Sequence, residues 1–244
     1  MIKEITIIPK NLSFPVARVL DKESQEFYQK VSRKTAENFG KDSLAYKTIT
    51  NGINTNNVTG SQFFWNTNLG LYLPKEKRVC SLNDWENIND LDENFFRDFY
   101  TDSPQIVLRT DKTSYERNAP ILKDLIEQVK GENYQFSSES PLILSNLDLI
   151  KDENTENRYG LLLKIGENTK IKNDERFVYS NNGKKIPFGD KQKTIYTRND
   201  GLSRVYLYRG GDLIAGDGDL DNSDDFGRVV LLEDAEGVAL KNKK

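Results

Sequence analysis

Residues 201–232 read GLSRVYLYRGGDLIAGDGDLDNSDDFGRVVLL, and two vocabularies interleave along them. Leu202, Val205, Leu207, Leu213, Ala215, Leu220 and the run Val229 to Leu232 are apolar and spaced as half-buried β structure requires, one face inward and the next outward. Between them stand Tyr206, Tyr208, Arg209, Gly210, Gly211, Asp212, Ile214, Gly216, Asp217, Gly218, Asp219, Asn222, Asp224 and Phe226. This second set is drawn almost wholly from Tyr, Arg, Gly, Asp and Asn. Rings and guanidinium groups supply contact area while small residues supply fit, which is the composition of an adaptable recognition surface.

The flanking sequence sharpens the contrast. Lys, Glu and Gln make up 47 of the 244 residues, yet none occurs in the 39 residues from Thr194 to Leu232. At the background frequency such a gap arises by chance in about 0.02% of pre-chosen windows. Chemistry at the codon level offers one cause. An asparagine codon randomised only at its adenines yields Asn, Asp, Ser, Gly, Arg, Tyr, Ile and Phe, whereas Lys, Glu and Gln need a purine in third position. Between Arg204 and Arg228 the segment holds three arginines against six aspartates (Asp212, Asp217, Asp219, Asp221, Asp224, Asp225), a balance equal to the −3 of the whole chain. A neutral scaffold carrying one acidic surface is the expectation.

Gly201 to Leu232 resembles the variable region of proteins diversified by diversity-generating retroelements, in which a Gly-Arg-Val-Val-type final strand, here Gly227 to Val230, follows randomised loops. Val58 to Pro74 (VTGSQFFWNTNLGLYLP) and the helix–strand layout through Ile165 are similar to the archaeal, AvpA-type branch. The resemblance implies a C-type-lectin-like fold, with residues 194–232 as a variable segment on a stable scaffold, and ligand binding without catalysis. The implied partner is a protein or glycan on another cell or a virus-related surface. Two departures stand: Cys80 alone cannot form lectin disulfides, and no Trp-Asn-Asp calcium motif is present.

Composition excludes several chemistries. With no histidine there is no Ser-His-Asp or Cys-His nucleophile and no histidine-ligated metal, and a lone cysteine builds neither a disulfide framework nor an iron–sulfur cluster. No cofactor is implied. Lysines are scattered and the charge is balanced, so no electrostatic footprint for nucleic acid emerges. No stretch approaches 18 uncharged apolar residues and no signal-peptide pattern opens the chain, so neither a membrane span nor a signal peptide is expected, and the expected location is cytoplasmic by default with surface display open.

Along the chain we expect one α+β domain over residues 1–244, helical and mixed early, β-rich with long loops late. Expected helices are Asp21–Asn38, Glu93–Tyr100 and the stretch from Asn118 to Gly131 with Pro120 in its first turn. Expected strands are Glu4–Ile8 closed by Pro9, Leu69–Leu73, Ile106–Leu108, Leu142–Leu144, Tyr159–Ile165 and Phe177–Tyr179, with loops and short strands over Thr48–Asn68 and a polar loop over Lys151–Arg158. Phe63, Phe64, Trp65, Trp85, Phe95, Phe96 and Phe99 read as core.

Two other functions have residues that point toward them. Asp217, Asp219 and Asp221 open like a calcium loop for a glycan-binding module, but Asn222 stands where such a frame has glycine and Arg228 where it has its bidentate glutamate. Asp224 and Asp225 would be the acids of a carboxylate-dependent hydrolase, but adjacent residues in extended chain point apart. Gly210, Gly211, Gly216 and Gly218 do not open a helix as a phosphate cradle must. Arg204 and Arg228 flank the aspartates, and internal ion pairing and ligand contact account for them equally.

Overall fold

The interleaved segment folds as its alternation requires. In the computed structural model, which describes residues 4–6 through their backbone and residues 16–233 in full, every member of the apolar set from Leu202 to Leu232 is buried. The first 131 residues hold strands β1 (Glu4–Thr6), β2 (Val16–Val19), β3 (Lys77–Val79) and β4 (Tyr100–Leu108). They also hold α1 (Gln25–Phe39), α2 (Leu44–Ile49), α3 (Phe63–Gly70), α4 (Leu82–Leu91) and α5 (Ala119–Gly131). Then come β5 (Leu142–Ser145), β6 (Asp148–Lys151), β7 (Leu161–Lys164), β8 (Lys170–Asn173), β9 (Lys185–Phe188), β10 (Lys191–Thr197), β11 (Leu202–Tyr208), β12 (Asp212–Ala215) and β13 (Val230–Glu233). With about 29% helix and 29% strand the chain is α+β.

A curled seven-stranded sheet, in the order β8-β5-β4-β11-β12-β10-β9, organises the rest. Its pairs are antiparallel except β10 with β12. A four-stranded sheet, β1-β2-β13-β3, and the β6–β7 pair complete the strands. Strand alternation loads both faces of the large sheet. Ile106, Leu108, Leu142, Leu144 and Leu202 pack with α1, α3 and α5, whereas Val107, Ile143, Val205, Leu207 and Leu213 pack with Trp85 of α4 and with Phe95, Phe96 and Phe99. The β4–β11 ladder slips between Arg204 and Tyr206, a bulge that absorbs Ser103 to Gln105 around Pro104, where no ladder hydrogen bond can be donated.

The expected helices at Asp21–Asn38 and from Asn118 to Gly131, and the strands at Ile106–Leu108 and Leu142–Leu144, are present; Tyr159–Ile165 contracts to β7. The strand expected at Glu4–Ile8 is seen as β1, and Ile7, Ile8 and Pro9 lie outside the described residues. Three expectations are corrected. Thr48–Asn68, expected as loops and short strands, and Leu69–Leu73, expected as a strand, instead contain the end of α2 and all of α3, which is capped by the Gln62 side chain accepting from Trp65 N–H. Every residue from Phe63 to Leu69 is buried, so this helix has no polar face and shows no helical period to read. Glu93–Tyr100, expected as a helix, is a chain of tight turns over Glu93–Asp98 followed by the start of β4 at Tyr100, and its three phenylalanines pack edge to face on one another, with Phe96 also against Trp85. Phe177–Tyr179 forms 3-10 turns, the first capped by Asp174.

Candidate functional site

The β11–β12 hairpin sets Tyr206 opposite Ile214 and Tyr208 opposite Asp212, while β10 brings Tyr196 level with Ile214. Tyr196, Ile214 and Tyr206 therefore form a row across three strands, with their sequence neighbours Ile195, Leu213, Val205 and Leu207 in the core behind them. Tyr196 is 44% exposed and was missed in the sequence. It lies inside the Lys-, Glu- and Gln-free window beside a buried isoleucine, and alternation alone would have found it.

At the tip, Gly211 N–H donates to Tyr208 C=O at 2.9 Å, and both residues between them have positive φ, Arg209 at 46° and Gly210 at 68°. The Arg209 guanidinium lies 5.6 Å from the centre of the Tyr208 ring and 4.6 Å from that of Phe226. These rings are 47% and 54% exposed, so the guanidinium joins two apolar anchors, one at the end of β11 and one in the loop before β13. Lys193 donates to the Gly210 carbonyl and braces the turn.

The six aspartates divide evenly. Arg204, buried, donates to Asp102 at 2.9 Å, to Asp217 at 2.7 and 3.1 Å and to the Asn222 carbonyl at 2.8 Å, and its guanidinium stacks 4.4 Å from the Tyr206 ring centre. Arg117 holds Asp221 through two bonds of 2.6 and 2.7 Å, reaches Asp219 at 3.3 Å and covers the Tyr159 ring at 4.0 Å. The carboxylates of the calcium-type frame are thus committed to two arginines. Asp212, Asp224 and Asp225 form no ion pair among the described residues, and Asp224 accepts from Phe226 N–H at 2.7 Å. Arg228 donates to the Asp225 and Gly227 carbonyls. Half of the six aspartates of the expected acidic surface are therefore neutralised by internal arginines.

One guanidinium between two carboxylates leaves a deficit of positive charge inside. Burial pushes Asp102 up to about 7 despite Arg204, with Asp217 adding to the rise, and Asp102 Oδ2 has no partner. Arg204, pulled down by burial, is raised on balance by Asp102 and Asp217. The arginine stays charged, and the deeper acid binds its proton more tightly than an ordinary carboxyl. Asp221 is pushed up to about 6, chiefly by burial and by its hydrogen bond with Asp219, while Asp219 is held below its ordinary value.

Further contacts fix residues 216–221. Asn118 Nδ2 donates to the Gly218 carbonyl at 2.8 Å, and its Oδ1 accepts from the Tyr159 hydroxyl at 2.9 Å. A Cβ on Gly218 would meet Arg198 Nη1 at 2.6 Å and Tyr115 at 3.0 Å, so this glycine is buried scaffold; at Gly211 and Gly216 nothing lies closer than 3.6 Å. Behind the hairpin the buried Arg109 donates to Ser203 Oγ, Thr197 Oγ1 and the Ala215 carbonyl, tying β11, β10 and β12 together. Burial pulls its pKa down to about 9, which leaves it charged at neutral pH.

Of the expected ligand-contact residues, Tyr206, Tyr208, Arg209, Asp212, Ile214 and Phe226 thus lie together on one side, whereas Asp217, Gly218 and Asp219 meet the internal partners Arg204, Asn118 and Arg117. Among the described residues no helix is long and apolar enough to cross a membrane. No family model, curated protein or solved structure matches the chain.

Proposed function

We propose that this chain is a non-catalytic binding protein of C-type-lectin-like architecture. Its face, formed by Tyr196, Tyr206, Tyr208, Arg209, Asp212, Ile214, Asn222, Asp224 and Phe226, recognises a protein or glycan partner and is diversified by a retroelement. The observation that carries this reading is the partition of residues 202–232. Each apolar scaffold position is buried, while the exposed rings of Tyr208 and Phe226 are joined through Arg209 on the outer side. Aromatic anchors beside an arginine, at the centre of a patch rimmed by small polar residues, are the arrangement that carries binding energy in protein interfaces.

The encoding DNA tests the diversification. A second, imperfect copy of the segment near the gene, differing only at adenines and accompanied by a reverse-transcriptase gene, is the expected finding. Absence of both removes the retroelement from the reading and leaves binding to be judged by the variants below.

A further inference from the structure

On the other face of the large sheet from the Tyr206 row, a cleft of about 820 Å³ opens between the C-terminal half of α3, the first turns of α4 and the β4–β5–β8 surface. Its volume falls within the range of small-molecule sites, roughly 300–1,000 Å³. None of the residues of the proposed binding face lines it.

Its floor is a ladder set by strand register: Gln105 lies beside Ser145 and Ser145 beside Lys170, with Ile143 beside Lys172 one step along. Amide, hydroxyl and ammonium therefore follow one another from the buried end of the cleft to its mouth. Gln105 is 7% exposed, and its Oε1 accepts from Leu82 N–H at 2.8 Å. That bond fixes the amide orientation, so both Nε2 hydrogens remain without a partner among the described residues and the side chain forms part of the cleft wall. Across the floor stands Asn66, fully buried, whose Oδ1 also lacks a partner. The Gln105 Nε2 is open to the cleft and free to donate to what enters it, whereas the Asn66 Oδ1, closed off from solvent, is a cost carried by the fold.

Charge selects among candidate ligands. Arg78 in the wall is neutralised by Asp84, and Lys77 by Glu233. Lys170 and Lys172 are exposed and make no ion pair among the described residues, against one unpaired carboxylate at the rim, Asp148. A donor-rich interior, two cations at the mouth and one acceptor carboxylate match a molecule with several hydroxyls and one anionic group. We propose that this cleft binds a hydroxylated anion of monosaccharide size, a sugar phosphate or a sugar acid.

Calorimetric titration of the full chain with glucose 6-phosphate and with glucuronate tests this, with glucose, inorganic phosphate and acetate as the separate halves. One of the two sugar anions is expected to bind saturably, at least tenfold more tightly than either of its halves; which one wins decides between phosphate and carboxylate. The K170Q/K172Q pair, on the surface, is expected to weaken it three- to tenfold, and S145A to weaken it without loss of melting temperature. Gln105→Met is expected to cost at least tenfold, read only if the variant melts as a folded protein. Failure of both sugar anions to bind, binding as tight for glucose as for its phosphate and for glucuronate, or unchanged affinity in K170Q/K172Q overturns the proposal.

Discussion

Residues 216–221 and the rim formed by residues 208–212 with 222–226 use the same small set of amino acids, yet the fold treats them in opposite ways. In the first stretch each aspartate meets an arginine from another part of the chain: Asp217 meets Arg204, and Asp219 and Asp221 meet Arg117. In the second, Asp212, Asp224 and Asp225 stay unpaired among the described residues and stand near exposed rings. The difference teaches that an acidic segment is not by itself an acidic surface. Internal cations turn part of it into scaffold, and only the remainder is available for contact.

The sharpest way to break the contrast is Arg204→Met. It leaves the buried Asp102 and the partly exposed Asp217 without their cation and is expected to cost about 3–5 kcal/mol in urea unfolding. A loss below about 1 kcal/mol would show that residues 216–221 are not held as described. Arg117→Ala removes the paired bonds to Asp221 and the cover over Tyr159, with an expected loss of about 2 kcal/mol by the same measurement.

Protonation probes the cluster more gently. Asp102, raised from its ordinary carboxylate value to about 7, binds its proton more tightly folded than unfolded. Its contribution to stability is therefore fully present below the unfolded value near 4 and is lost as pH rises through about 7. Between pH 6 and 8 wild-type stability should fall relative to Asp102→Asn, with a slope of at most about 1.4 kcal/mol per pH unit. Parallel curves for the two proteins would remove the shared-proton account of the Arg204 cluster.

The rim should respond least. Tyr208→Ser and Phe226→Ser, each in an exposed position, are expected to stay within about 0.5 kcal/mol of wild type while abolishing capture of a selected partner. Tyr206→Ser is a poorer probe of binding, because that ring lies under Arg204 and edge-on to Tyr100, 5.9 Å between centres, and its loss mixes packing with contact. Melting of Y208S or F226S well below wild type would move these residues into the scaffold class.

Where two-residue alternation or a one-sided apolar stripe exists, the sequence could be read: β11, β12, α1 and α5 were legible, and so was the inward set from Leu202 to Leu232. Where an element is buried all round, as Phe63–Leu69 in α3, the period vanishes with the polar face. The stretch Glu93–Tyr100 failed for the opposite reason, since phenylalanines spaced three and four apart satisfy a helix and a run of turns alike. At the site, exposure followed from alternation, but ion pairing did not. Asp102 and Arg117 lie 102 to 104 positions before the partners they hold, and nothing local in the sequence marks such pairs. The capping box at Ser81 and Asp84 was a readable signal that would have located α4.

The turn at Arg209 and Gly210 bears on inheritance. Arg209 holds a left-handed backbone that costs a side-chain-bearing residue roughly 1 kcal/mol, and its stacking on two rings offsets that cost. Gly, Asn and Asp adopt this backbone readily, whereas Ile does not. All four arise from an asparagine codon altered at its adenines. Under the proposed diversification, position 209 would therefore pass some newly copied residues and reject others before any partner is met, so the repertoire reaching the surface is narrower than the one written in the gene.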